Sequence, residues 1–274
     1  MNDILSAPKQ RLTIICAFRY RYAKDFQDLS QENVLADLKL YLDFCLLNNT
    51  HPSRIVILTD ILLPENYNNY QVYYISDEIT FLNVIKDHIS KLGINSNFIF
   101  IFSGHGERLN GITYLVIPSA QRRSKFVSGY QLQKIFQNYL PLKVNCLWIL
   151  DTCYSGGLIK LNYQIKKDKA EKSGKYFDMG SGRNVLCFHS SRKKQLSGMF
   201  ITENKYGSVF SHFLLKYFRK ISGISKEDEL TIPDIINTIS GQIEGQRRIS
   251  IQPEHMPLVQ STSKNLKFNL SSYI

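Results

Sequence analysis

Two short apolar runs end abruptly in residues that could do nucleophilic chemistry. Residues 97–102 lead into Ser103-Gly104-His105-Gly106, and residues 148–150 lead into Asp151-Thr152-Cys153-Tyr154-Ser155-Gly156. A cysteine thiol with an ordinary pKa of about 8.5 is mostly protonated at neutral pH, and a nearby imidazole can take its proton or stabilise the thiolate. Glycines close to both residues let a substrate backbone approach, and the amides of Gly106 and Cys153 are candidate oxyanion donors. Taken singly, Cys153 reads as one more small buried residue and His105 as a hydrogen-bonded loop histidine. Taken together, two strand ends flanked by glycine favour a shared site, with nucleophile and base close in space though far apart in sequence.

Such a site needs elements that bring residues 105 and 153 together. Both runs are rich in aromatic and β-branched residues, which predicts buried strands. In an open parallel sheet the carboxyl ends of the strands line one edge, where ligands bind. Residues 11–18 predict a first strand and residues 19–29 a polar loop. Ser30 then caps a helix whose apolar positions Val34, Leu38, Leu42 and Cys45 make it core scaffolding. Residues 54–59 predict a second strand ending at Asp60, and residues 64–69 a turn-rich loop. Ser76-Asp77-Glu78 opens a second helix with Leu82, Ile85, Ile89 and Leu92 inward and Gly93 as its stop. His88 lies one step off that stripe and reads as a rim residue.

Beyond His105, residues 111–118 predict a small hairpin, and Ser128 opens a third helix with Leu132, Ile135, Phe136 and Tyr139 inward and Pro141 at its end. Residues 144–150 form the strand that delivers Cys153. Residues 160–183, with Lys160, Lys166, Lys167, Lys169, Lys172 and Lys175, predict an exposed linker open to nicking. A fifth strand follows at 184–191, then a helix from about Ser208 with Val209, Phe213 and Tyr217 inward. Thr231 and Pro233 open a last helix bearing Ile235, Ile239 and Ile243. Residues 253–259 predict an edge strand, where proline is tolerated. Alternating strands and helices indicate a parallel sheet with helices on both faces.

The motifs S-G-H-G at 103–106 and D-x-C-x-S-G at 151–156 resemble those of metacaspases, within the caspase-like cysteine peptidases. The resemblance implies an α/β fold with a mostly parallel six-stranded central sheet. No long linker splits the chain, so a single domain is expected, and the resemblance implies a large-subunit-like region at 11–159, the linker at 160–183 and a small-subunit-like region at 184–274. Cys153 would be the nucleophile, His105 its partner, and the loop 19–29 would sit over the same sheet edge. The family's preference for a basic residue before the cleaved bond implies that Asp151, flanked by Ser103, binds substrate. A second acidic position of that pocket falls in Ser191-Arg192-Lys193-Lys194-Gln195, which is basic here. Classical caspases hold Asp with an arginine after their fifth strand, so Arg192 is a substrate-binding candidate of the opposite sense, or part of a solvated turn with Lys193 and Lys194. Where calcium-dependent relatives carry acidic ligands, this chain has Ser119-Ala120, Arg122-Arg123 and Lys160, so the expectation is no metal, no calcium activation and no cofactor.

With 274 residues, 43% of them hydrophobic, the chain has material for one sizeable core. Five cysteines without paired spacing argue against a disulfide framework and fit a reducing compartment. Neither the first residues nor any later stretch reads as a signal or membrane-spanning segment, so the expectation is a soluble, intracellular, cytoplasmic protein, most simply a monomer. The net charge of +11 raises a nucleic-acid hypothesis. No recognisable reading motif supports specific nucleic-acid binding, so the expected partners are protein or peptide substrates, including the chain's own linker. An inactive or regulatory scaffold on the same fold is the other alternative, and the presence of both Cys153 and His105 weighs against it.

Overall fold

A computed structural model describes residues 10–274 except 122, 167–168, 175–178, 180–181, 198–206, 222–229, 247–256, 265–266, 269–272 and 274. Its centre is a sheet built on five parallel strands, β1 (Arg11–Ala17), β2 (Ile55–Thr59), β4 (Asn97–Ser103), β8 (Asn145–Asp151) and β11 (Asn184–His189). A short β3 (Gln71–Tyr74) adds in parallel outside β2. On the other side β13 (Leu258–Ser261), β9 (Tyr163–Lys166) and β10 (Lys169–Lys172) add antiparallel. The order is β10-β9-β13-β11-β8-β4-β1-β2-β3.

Alternate residues of each parallel strand serve different faces, as the pleat requires. Ile14, Val56, Phe100 and Trp148 pack with Phe81, Ile85 and Ile89 of α2 (Glu78–Ile89) and with Leu132 and Phe136 of α3 (Gly129–Tyr139). Ile15, Ile57, Ile101 and Ile149 pack on the other face. There they meet Leu38 and Tyr41 of α1 (Gln31–Leu47), Phe213 and Phe218 of α4 (Val209–Ile221), and Ile235 and Ile239 of α5 (Ile232–Gln246). The caps follow the sequence. Ser30 accepts from Asn33, Asp77 accepts from Thr80, and Ser128 forms a capping box with Gln131. α2 ends at Ile89, before Gly93.

After β4, β5 (Gly106–Leu109) and β6 (Ile112–Ile117) form a hairpin extended by β7 (Lys125–Ser128). Its turn is Asn110-Gly111, with φ of 50° and 81°, the left-handed pair that a two-residue hairpin turn prefers. A two-stranded sheet of β12 (Leu230–Thr231) and β14 (Lys267–Phe268) completes the described elements.

Three expectations are corrected. Among the described residues the sheet has nine strands, not six, because β3 and the hairpin β9-β10 extend its two edges. The hairpin lies inside the Lys-rich segment, which is therefore not wholly an exposed linker. Buried Ile165 stands opposite Val259, and Leu161 donates its N–H to the Gln260 side chain at 3.1 Å. For the same reason β13 is an interior strand, flanked by β11 and β9. Of the prolines of the predicted edge strand, Pro257 precedes the first paired residue, and Pro253 lies outside the described residues. Lys167, Lys175 and Arg122 also lie outside the described residues.

Candidate active site

Register brings the two motifs together. Ser103 of β4 stands opposite Asp151 of β8, so His105 and Cys153, each two residues further on, leave the same edge side by side. The two loops touch: a Cβ placed on Gly106 would lie 2.3 Å from the Cys153 carbonyl oxygen and 2.4 Å from Thr152 Oγ1. Only glycine allows that approach. After Cys153 the chain turns sharply through Tyr154 at φ 59° into a 3-10 turn at Ser155–Gly157. The segment after β11 fastens this turn. Ser191 O accepts from Gly156 N–H at 3.0 Å, and Gln195 O accepts from Tyr154 N–H at 2.8 Å.

His105 is held from the other side by the loop 19–29. Its Nε2 lies 2.7 Å from Gln27 O, and since a carbonyl only accepts, Nε2 carries the hydrogen and Nδ1 is left as the basic nitrogen. Sequence reasoning named no group to orient His105 because the orienting group is a backbone carbonyl, which residue type does not reveal. Phe26 lies against the imidazole at 5.3 Å and Tyr20 at 4.7 Å. Burial pushes the His105 pKa below its ordinary value, against the smaller upward pulls of Gln27 O and Glu107.

Burial likewise pushes the Cys153 thiol upward. A 3.4 Å N–H donation from Ser197 opposes the shift, while the charges of Asp151 and Glu107 add to it. Both shifts favour neutral partners, thiol and imidazole, over a standing thiolate–imidazolium pair. Cys153 and His105 are both partly buried.

Beside this pair sits a buried cluster of two carboxylates, and only one of them stood out in the sequence. Asp151 and Asp37 are each 4% exposed. Asp37 Oδ2 accepts from Ser103 Oγ and Oδ1 from Ser208 N–H, both at 2.8 Å. Asp151 Oδ1 accepts from Ser197 Oγ at 3.0 Å and Oδ2 from Ser211 Oγ, whose oxygen is also 2.7 Å from Tyr41 OH. Burial and the neighbouring charge of Asp151 raise the Asp37 pKa to about 7, and burial raises that of Asp151 too. Among the described residues neither acid forms an ion pair. The signal for Asp37 lies in the sequence: an acid within the stripe Val34, Asp37, Leu38, Tyr41 cannot be ordinary core.

The remaining candidates separate from this cluster. Arg192, Lys193 and Lys194 are exposed, on a turn closed by Gln195 Oε1 accepting from Arg192 N–H at 3.2 Å. Of the positions matched to calcium ligands, Ser119 receives the Gln121 N–H. Among the described residues no cluster of His, Cys, Asp and Glu has the makings of a metal site. His88 faces Tyr73 OH at 3.0 Å on the α2 side of the sheet. No helix among the described residues is long and apolar enough to cross a membrane.

A mostly parallel sheet between two helix layers, with cysteine and histidine at its carboxyl edge, is the caspase-like architecture. The chain belongs to the caspase domain family, whose model matches residues 65–268. Among solved structures it is similar to protein GSU0716 from Geobacter sulfurreducens, with a TM-score of 0.58 at 13% identity, covering 97% of this chain and 99% of that one. It is also similar to caspase-1 from Spodoptera frugiperda, with a TM-score of 0.57 at 10% identity, covering 93% and 87%. At such identities the likeness shows the fold alone. No curated protein matches the chain in sequence.

Proposed function

We propose that this caspase-family cysteine peptidase is an endopeptidase of the metacaspase kind that cleaves after Arg or Lys without calcium activation. The observation that carries the specificity is the Asp37–Asp151 pair: two buried acids without a cationic partner among the described residues, one of them two residues from the nucleophile. A guanidinium or ammonium entering there would relieve their mutual repulsion, whereas an acidic side chain would add a third negative charge.

In the mechanism Cys153 Sγ attacks the substrate carbonyl carbon as its proton passes to His105 Nδ1. The oxyanion accepts hydrogen bonds from the Gly106 and Cys153 amides. The leaving amine takes the proton from His105 as the C–N bond breaks, leaving a thioester. His105 then deprotonates water, which attacks the thioester, and the thiol is restored as the acid product leaves. Throughout, Nε2–H stays on Gln27 O.

The test is a panel of peptide chloromethyl ketones differing only in the residue before the reactive group, with Cys153→Ala as control. Labelling of Cys153 by the Arg and Lys reagents ahead of the Asp reagent supports the proposal. No labelling by any reagent points to an inactive scaffold, and preferential Asp labelling gives the pocket to Arg192.

Two further outcomes are expected. Calorimetry should show no calcium site of sub-millimolar affinity, and activity should persist in chelator, because neutral or basic residues stand where hard-cation ligands would be needed. Any self-cleavage should fall within residues 160–175, where Lys172 and Gly174 are exposed at the end of the edge strand β10. Mass spectrometry of aged wild-type protein against Cys153→Ala locates the cuts, and cuts confined to residues 11–120 would contradict the assignment. The hairpin β9-β10 covers the outer edge of β13, which supports action as a monomer.

A further inference from the structure

Tyr20, in the loop 19–29, touches both the backbone and the ring of His105. Its hydroxyl accepts the His105 N–H at 2.9 Å and donates to Val116 O at 2.8 Å, bridging the histidine to β6. Its ring lies 4.7 Å from the imidazole, tilted by 45°. The side chain is 1% exposed, so neither contact competes with bulk water.

Tyr20 is placed there at a cost. Its φ is 67°, a left-handed conformation that bulky residues avoid. Asp60, at the carboxyl end of β2, holds it by accepting the N–H of Arg19 at 2.6 Å and of Tyr20 at 2.7 Å. The loop then closes on itself, Leu29 N–H donating to Arg19 O at 2.9 Å and Arg19 pairing with Asp28 through two bonds of 2.8 and 2.9 Å. The same closed loop presents Gln27 O to Nε2.

Tyr20 also explains a glycine. A Cβ on Gly104 would lie 2.4 Å from the Tyr20 hydroxyl oxygen, and 3.3 Å from Tyr20 Cζ and from Phe102 Cε1. The residue before the histidine must therefore lack a side chain for the hydroxyl to reach the His105 amide.

We infer that Tyr20 is the positioning residue of His105: its hydroxyl fixes the histidine's backbone and its ring sets the plane in which Nε2–H meets Gln27 O, which leaves Nδ1 as the basic nitrogen. The inference builds on the peptidase reading, but its main readouts need no turnover.

Histidine-selective 15N labelling, with His105→Ala to assign the signal, follows the His105 Nε2–H directly. The wild type should show a slowly exchanging Nε2–H. Its exchange should quicken by about 10-fold in Tyr20→Phe, which keeps the ring, and the signal should vanish in Tyr20→Leu, which loses both contacts. In turnover, kcat should fall about 10-fold in Tyr20→Phe with KM within about 2-fold, because misalignment of a base weakens the chemical step more than binding. Gly104→Ala should lower the melting temperature in the wild type, and by less than half as much in the Tyr20→Phe background. Unchanged Nε2–H exchange in Tyr20→Phe overturns the inference, as does an equal Gly104→Ala penalty in both backgrounds. Tyr20→Phe decides the matter even if Tyr20→Leu fails to fold. If the wild type has no turnover, the peptidase reading fails while the exchange and melting experiments still judge Tyr20.

Discussion

Cys153→Ala should lower peptidase turnover by about 10⁴-fold or more, since the covalent step has no substitute when the nucleophile is gone. The same substitution should move the melting temperature by no more than about 2 °C, because removing one sulfur from a partly buried position leaves little cavity. His105→Ala should cost a comparable share of activity and behave differently in stability. The imidazole gives up a 2.7 Å bond to Gln27 O and its contacts with Tyr20 and Phe26. A loss of about 1–2 kcal/mol is expected, lowering the melting temperature by a few degrees. Turnover and thermal unfolding of the two purified variants check this, and residual wild-type-like turnover in Cys153→Ala would sink the mechanism.

The second large effect concerns the acid pair. Asp151→Asn and Asp37→Asn should each reduce kcat/KM for an Arg substrate by about 10²–10³-fold, the scale expected when one partner of a desolvated charge contact is neutralised. Neither variant should gain activity after Asp, because Arg192 is exposed and no cation replaces the lost acid. Fluorogenic peptides differing only at the residue before the cleaved bond provide the measurement. Faster cleavage after Asp than after Arg by the wild type would assign the pocket to the Arg192 turn.

The pair also fixes the sign of a pH effect. The folded-state pKa of Asp37 is raised to about 7, above the unfolded value of about 3.9, so the folded protein keeps a proton that the unfolded chain releases between those values. The stability from this group is present in full below the unfolded pKa and is lost as pH rises through about 7. The melting temperature of the substrate-free protein should therefore fall from pH 5 to pH 8 by more in the wild type than in Asp37→Asn. Cation binding runs the opposite way. It needs the ionised pair, so kcat/KM for Arg substrates should fall as pH drops below about 7, with Asp37→Asn flattening that limb.

Much of this was readable in the residues themselves. Apolar runs stopping just before His105 and Cys153, with glycines nearby, marked two strand ends, and Ser30, Ser76-Asp77-Glu78 and Ser128 marked the starts of three helices. These signals are local: strand burial, capping and helical period act over a few neighbouring residues, and residue type decides them.

What tertiary structure decided is of another kind. Asp37 passed as scaffolding because its helix reads correctly without it, and only packing α1 against the start of α4 puts its carboxylate beside Asp151. β3 and the β9-β10 hairpin are four-residue strands with weak alternation, stabilised by the sheet edges they join and not by their own patterning. Gln27 acts through a carbonyl that every residue possesses, and Tyr20 reaches a histidine 85 positions away. Contacts of that range depend on strand order and register, which arise from the balance of the whole core, so the sequence determined which chemistry was on hand and the fold determined which groups would share it.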